Sequence, residues 1–203
     1  MALLVQDGVL ELDREVAHYC PELAAEGKGE LTLRELLAHR AGVIGVDGGS
    51  TSPELPDDRL IAERLAGQRP FRVLGQAYGY HAFGIGALTG EVVRRATGRS
   101  VQELFEERIR APYALDFPLG LPEALEGRYV CVQPAVLTAE RLAESAAAGP
   151  PPPDSLLAIA MNQHGAEALD LVEWATPGRC ASSGPPPRAG WRTHAGRPRR
   201  TRR

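Results

Sequence analysis

Tyr78-Gly79-Tyr80-His81 brings two phenols and an imidazole within four positions, and these are the first candidates for chemistry. His81 reads either as a base beside a site or as a packed or surface histidine. Tyr80, taken alone, reads as a core tyrosine with a satisfied hydroxyl. Nucleophilic candidates are less well placed. A serine hydroxyl attacks poorly unless a base lies within hydrogen-bond reach. Ser50 and Ser52 stand in a loop, in neither a Gly-x-Ser-x-Gly nor a Ser-x-x-Lys context. Lys28 is the single lysine, and Ala25 occupies the position three residues before it, so it completes no Ser-x-x-Lys motif. His39 ends a capped helical pattern, three residues before Gly42. It reads as a site residue or, preferably, as a histidine meeting free carbonyls at a helix C-terminus.

The elements that must position these groups are written in local signals. Leu3 to Asp13 reads as a helix end, a stop at Gly8 and an extended turn. Thr32 and Glu35 form a capping box, with Leu31 and Leu36 as a hydrophobic staple and Gly42 as the expected stop. A Gly/Ser/Pro loop follows over residues 45–56. A helix over about 57–66 presents Leu60, Ile61 and Leu65 on one face. The block from Tyr78 to Gly98 carries Gly84, Gly86 and Gly90, poor helix residues that imply close packing against a neighbour. Ser100 and Glu103 form a second capping box, with Leu104, Phe105 and Ile109 behind it and Ala111-Pro112 as the stop. Further helices are expected over residues 138–148, from Asp154 through Asn162, and over 166–174.

Composition is that of a globular chain: 203 residues, 43% hydrophobic and 24% charged, with a net charge of -3. That charge gives no polyanion-binding signal, and no nucleic-acid partner is expected. The opening residues lack a basic region, and Asp7 cuts the apolar run, so neither a signal peptide nor a membrane span is expected. Cys20, Cys131 and Cys180 lie far apart without metal-ligand spacing, so no metal or other cofactor is expected. Their odd number fits reduced thiols, and the expected location is the cytoplasm.

Two blocks in one order carry a family resemblance. The first is Leu4-Val5-Gln6-Asp7-Gly8-Val9-Leu10-Glu11-Leu12-Asp13 followed by Leu31-Thr32-Leu33-Arg34-Glu35-Leu36-Leu37-Ala38-His39-Arg40-Ala41-Gly42. The second is Tyr78-Gly79-Tyr80-His81-Ala82 followed by Gly90-Glu91-Val92-Val93-Arg94-Arg95-Ala96-Thr97-Gly98, ending near Ile109-Arg110-Ala111-Pro112. They resemble the serine β-lactamase-like family: class C β-lactamases, related carboxylesterases and penicillin-binding proteins. Asp116-Phe117-Pro118-Leu119-Gly120-Leu121-Pro122 is similar to the esterase-like branch. The resemblance implies acyl transfer, in which a serine attacks an ester or lactam carbonyl while a lysine and a tyrosine manage its proton. It gives the tyrosine position to Tyr80, with Tyr78 as the alternative, and a weaker substrate-side role to His81. The family's usual Tyr-x-Asn is not reproduced, since Ala82 stands where Asn would be. That departure points to the esterase-like branch, with a small ester or amide as substrate of the intact relative. The family's layout would put Ser-x-x-Lys about ten residues before Met1. His194-Ala195-Gly196 is the nominal match to the late Lys-Thr-Gly-type motif.

The expectation is therefore a mainly α chain. It is read as a fragment of the α+β β-lactamase/penicillin-binding-protein-like fold, a helical region plus an incomplete antiparallel sheet. Residues 1–174 form the partial hydrolase domain. Residues 175–203 are a Pro/Gly/Arg-rich tail with seven arginines and no acid from Arg188 onward, too poor in apolar residues to build a core. Without the Ser-x-x-Lys motif the chain alone is expected to be inactive. The alternative from another class is a non-catalytic interaction module derived from a decayed hydrolase. The sequence says nothing about oligomeric state.

Overall fold

In the computed structural model, which describes residues 1–165 and Trp174, helices carry the regular structure. The helix expected over 166–174 and the Arg-rich tail lie outside the described residues, Trp174 excepted. The chain divides into two units, Met1–Val101 with Ala135–Leu169, and Gln102–Pro134 with Asp170–Arg203.

The first unit opens with α1 (Ala2–Gln6), ended by Gly8 at φ 73° as its sequence implies. α2 (Val16–Tyr19) runs into a 3₁₀ segment, Pro21–Gly27, that kinks at Ala25 and Glu26. An isolated antiparallel bridge pairs Glu15 with Thr32. Among the described residues no strand grows from it, so the expected partial sheet is not seen there. The local reason is that both chains leave the extended region at once: Val16 starts α2 on one side, and Leu33 starts α3 (Leu33–Leu37) on the other.

The Thr32 cap forms as read. Its hydroxyl oxygen accepts from the Glu35 N–H, and the Glu35 carboxylate accepts from the Thr32 N–H at 3.0 Å. Leu31 and Leu36 are buried on either side of it. α4 (Asp58–Gly67) is capped by Asp57, whose carboxylate accepts from the N–H groups of Arg59 and Leu60. It buries Ile61, Ala62, Leu65 and Ala66.

α5 (Gly84–Thr97) ends at Gly98 in the left-handed region. α4 packs against α5 and against Pro21–Gly27, and α5 also meets α2 and α3. Of the three glycines expected to pack closely, only Gly84 does: a β-carbon there would sit 3.0 Å from Leu65 Cδ1, while Gly86 and Gly90 face open space. Glu91 holds both Arg94 and Arg95, and Arg95 reaches Glu22 at 3.1 Å, which ties α5 to the 3₁₀ segment. Cys20 beneath this network is a buried free thiol, pushed up to about 11 chiefly by burial.

Later in the same unit, α7 (Ala139–Ala148) is capped by Thr138 and buries no side chain. α8 (Leu156–Ala160) is capped by Ser155, not Asp154. The second unit carries α6 (Val101–Phe105, whose first residue belongs to the first unit), a π-helical turn over Glu106–Arg110 and a 3₁₀ turn over Glu123–Arg128. Among the described residues no helix is long and apolar enough to cross a membrane.

Candidate functional site

α3 ends at Leu37 with Ala38 as its C-cap, short of the expected stop at Gly42, because His39 itself turns the chain at φ 57°. That turn gives the segment 71–81 something to run along. Phe71 N–H donates to the Gly42 carbonyl at 2.9 Å, Gly75 N–H to the Arg40 carbonyl at 3.0 Å, and Gly79 N–H to the His39 carbonyl at 2.9 Å. The His39 side chain then continues the ladder, with Nδ1 accepting from the His81 N–H at 3.1 Å. Gly79 is required by proximity: a β-carbon there would come 2.7 Å from Ile44 Cγ2. So Tyr78 and Tyr80 flank the one residue small enough to let the backbone close on Ile44.

His39 sits at the centre of a ring cluster. Its centroid lies 5.1 Å from His81, 5.3 Å from Tyr80 and 5.7 Å from Tyr78. The two tyrosines face outward. Tyr80 is 53% exposed and Tyr78 63%, so neither is the core tyrosine that Tyr80 resembled in isolation. His81 is the opposite case, at 0% exposed. The imidazole for which a substrate-side role was expected lies away from solvent.

Hydrogen-bond roles assign the tautomers. A backbone N–H only donates, so His39 Nδ1 must carry the lone pair that accepts from His81 N–H. His81 Nδ1 lies 3.0 Å from that same nitrogen, so it must bear the proton and donate. His81 Nε2 is then left with a buried lone pair that meets no partner. Burial, and next the nearby His39, lower His81 to about 4, with the Gly79 backbone opposing them. The ring is therefore neutral at physiological pH and serves as packing and as a donor to His39.

The remaining sequence candidates fall elsewhere. Lys28 is 0% exposed, and its ammonium donates to the carbonyls of Ala25 at 2.8 Å and Gln68 at 2.5 Å. Burial lowers its pKa, with Glu26 opposing. Its role is to join the 3₁₀ segment to the end of α4. Ser50 is buried by a reciprocal clamp that the sequence did not signal: Asn162 Oδ1 accepts from Ser50 N–H at 2.8 Å, and Asn162 Nδ2 donates to the Ser50 carbonyl at 2.7 Å. His164 Nε2 reaches the Val46 carbonyl at 2.9 Å. The only local sign of this clamp is Asn162 at φ 55°, in the left-handed region that asparagine tolerates. The cavity beside it, between Gly45, Leu55, Leu65, Ile159 and Asn162, holds about 10 Å³, room for about one water. It is too small for a substrate. Among the described residues, no three His, Cys, Asp or Glu side chains gather as metal ligands.

The esterase/β-lactamase LipL of Mycobacterium tuberculosis (strain ATCC 25618 / H37Rv) is 37% identical over 122 residues, 60% of this chain and 28% of LipL. The structure of EstA from Arthrobacter nitroguajacolicus Rue61a aligns with a TM-score of 0.72 at 42% identity, covering 82% of this chain and 43% of EstA. A family VIII carboxylesterase aligns with a TM-score of 0.67 at 32% identity, covering 85% of this chain and 44% of that one. The chain thus spans less than half the length of each of these relatives. The family model described as beta-lactamase matches residues 1–195, and the chain belongs to the β-lactamase family.

Proposed function

We propose that this chain is the tyrosine-bearing part of an esterase-type serine hydrolase, and that Tyr80 handles the proton of the nucleophilic serine in the intact enzyme. The observation that carries the reading is the contrast at adjacent residues: Tyr80 is half exposed, with the His39 ring against its own, while His81 is fully buried. A phenol held in place from below and open above suits proton exchange with a neighbouring hydroxyl. The departure at Ala82 and the esterase names among the relatives favour small carboxylic esters over lactams.

No Ser-x-x-Lys occurs in these 203 residues, so the chain by itself forms no acyl-enzyme by this route. The test is hydrolysis of a nitrophenyl ester. The purified chain is expected to give the buffer rate. Turnover that disappears in Tyr80→Phe would overturn the inactivity. In a longer form carrying a Ser-x-x-Lys helix, Tyr80→Phe is expected to lower kcat by about 10²-fold or more. An unchanged kcat there would remove Tyr80 from the mechanism.

A further inference from the structure

His39 accepts from the backbone N–H groups of both residues that flank Tyr80. Its carbonyl accepts from Gly79 N–H at 2.9 Å, and its Nδ1 accepts from His81 N–H at 3.1 Å. Its ring stands 5.3 Å from the Tyr80 ring, inclined by 38°. One residue therefore fixes both the backbone and the ring of the tyrosine.

Two features say that this is a function of the side chain and not only of the turn. First, His39 holds φ 57°, a conformation that glycine or asparagine reaches more easily. Second, the His81 N–H, which can only donate, points at its Nδ1 at 3.1 Å and so leaves that nitrogen unprotonated. An imidazole used merely as bulk would need no lone pair at that atom.

We propose that His39 is the positioning residue for Tyr80, acting through an imidazole whose Nδ1 lone pair accepts from the His81 amide. The role rests on the reading of Tyr80 given above, but its geometry is tested without turnover. A side chain that substitutes must accept at the position of Nδ1 and tolerate positive φ. Asparagine does both through Oδ1; alanine and leucine supply no acceptor.

The experiment is nuclear magnetic resonance on the full 203-residue chain. In the wild type, imidazole ¹⁵N shifts are expected to show His39 unprotonated at Nδ1 and His81 protonated at Nδ1. In His39→Ala, amide exchange at His81 is expected to quicken by about tenfold or more. Exchange at Gly79 stays unchanged relative to its neighbours, because its acceptor is the backbone carbonyl that the substitution keeps. The Overhauser contact between the Tyr80 ring and residue 39 is lost as the ring leaves its place. His39→Asn restores His81 protection to within about threefold of wild type.

Equal exchange changes at His81 and Gly79 in His39→Ala would mean a general loosening and would overturn the proposal. So would a wild-type His39 protonated at Nδ1, a result that needs no variant to fold. Failure of the ester-hydrolase reading looks different: Tyr80→Phe leaves turnover of the longer form unchanged while the His81 and Gly79 amides still respond differently.

Discussion

The first unit and the stretch Gln102–Pro134 use the same kinds of local signal, yet they differ in what those signals achieve. In the first unit three helices bury their apolar stripes: Leu36 of α3, Leu65 of α4, and Leu88 and Val92 of α5 are all 0% exposed. Between Gln102 and Pro134 turns and helices also form, but no side chain reaches the buried class. Tyr113 stays 73% exposed, Phe117 64% and Val130 85%. Contacts there include an edge contact between Phe105 and Phe117 at 6.3 Å and exposed ion pairs, Arg110 with Glu106 and Arg128 with Asp116. Exposed pairs are screened and contribute little. Capping and periodicity decide that a helix forms. Burial decides how much it stabilises, and the described stretch Gln102–Pro134 lacks it.

The sharpest way to break this comparison is to delete equivalent apolar bulk from each side. Leu88→Ala is expected to cost about 2–5 kcal/mol, and Phe117→Ala less than about 1 kcal/mol, by chemical denaturation. Equal losses would show that the exposed stretch contributes to the core as much as the buried one.

Acid should separate the two regions next. His81 is lowered from 6.5 to about 4, so between those values the unfolded chain binds the proton and the folded one does not. Stability therefore rises from pH 4 to 6.5, by roughly 3 kcal/mol, and is lost as pH falls through that window. Glu91, lowered from 4.5 to about 2 chiefly by hydrogen bonding from Arg94, has its own window: its contribution is complete above 4.5 and fades toward 2. A denaturation midpoint that stays flat from pH 4 to 6.5 would contradict a buried neutral His81.

The smallest of these effects concerns the Asn162 clamp. Asn162→Ala leaves the Ser50 N–H and carbonyl unmet in a buried place and is expected to cost about 1–3 kcal/mol. Asn162→Asp keeps the acceptor but loses the donor, so it should fall between wild type and alanine. No difference between the two variants would mean that water replaces both partners.

What was legible in the sequence follows the same division between local and distant causes. The Thr32–Glu35 box and the Gly98 stop each involve residues within a few positions of one another, and both formed as read. His39 does stand at a helix end, but the expected contact with free helix carbonyls is replaced by one with an N–H: its Nδ1 accepts from His81, 42 positions away, and no local pattern announces that partner. The Asn162 clamp spans 112 positions. Gly86 and Gly90 were misread because a glycine in a helix leaves the same mark in sequence whether it faces a neighbour or open space. Ser155 took the cap expected of Asp154 because two adjacent residues of similar capping strength compete, and sequence alone does not rank them. Of the candidate site, the tyrosine pair was visible as a motif. Its outward orientation was not, since exposure depends on Gly79 closing against Ile44.

Lys28 gives the folded chain an unusual reactivity. It holds the chain's single ε-amine, and that amine is fully buried with its protons committed to two carbonyls. Amine-directed reagents should therefore modify the α-amino group and leave the side chain untouched for as long as the fold persists. The rate at which Lys28 becomes acylated by an activated ester is thus a built-in clock for opening of the first unit, readable by mass spectrometry as a single added group.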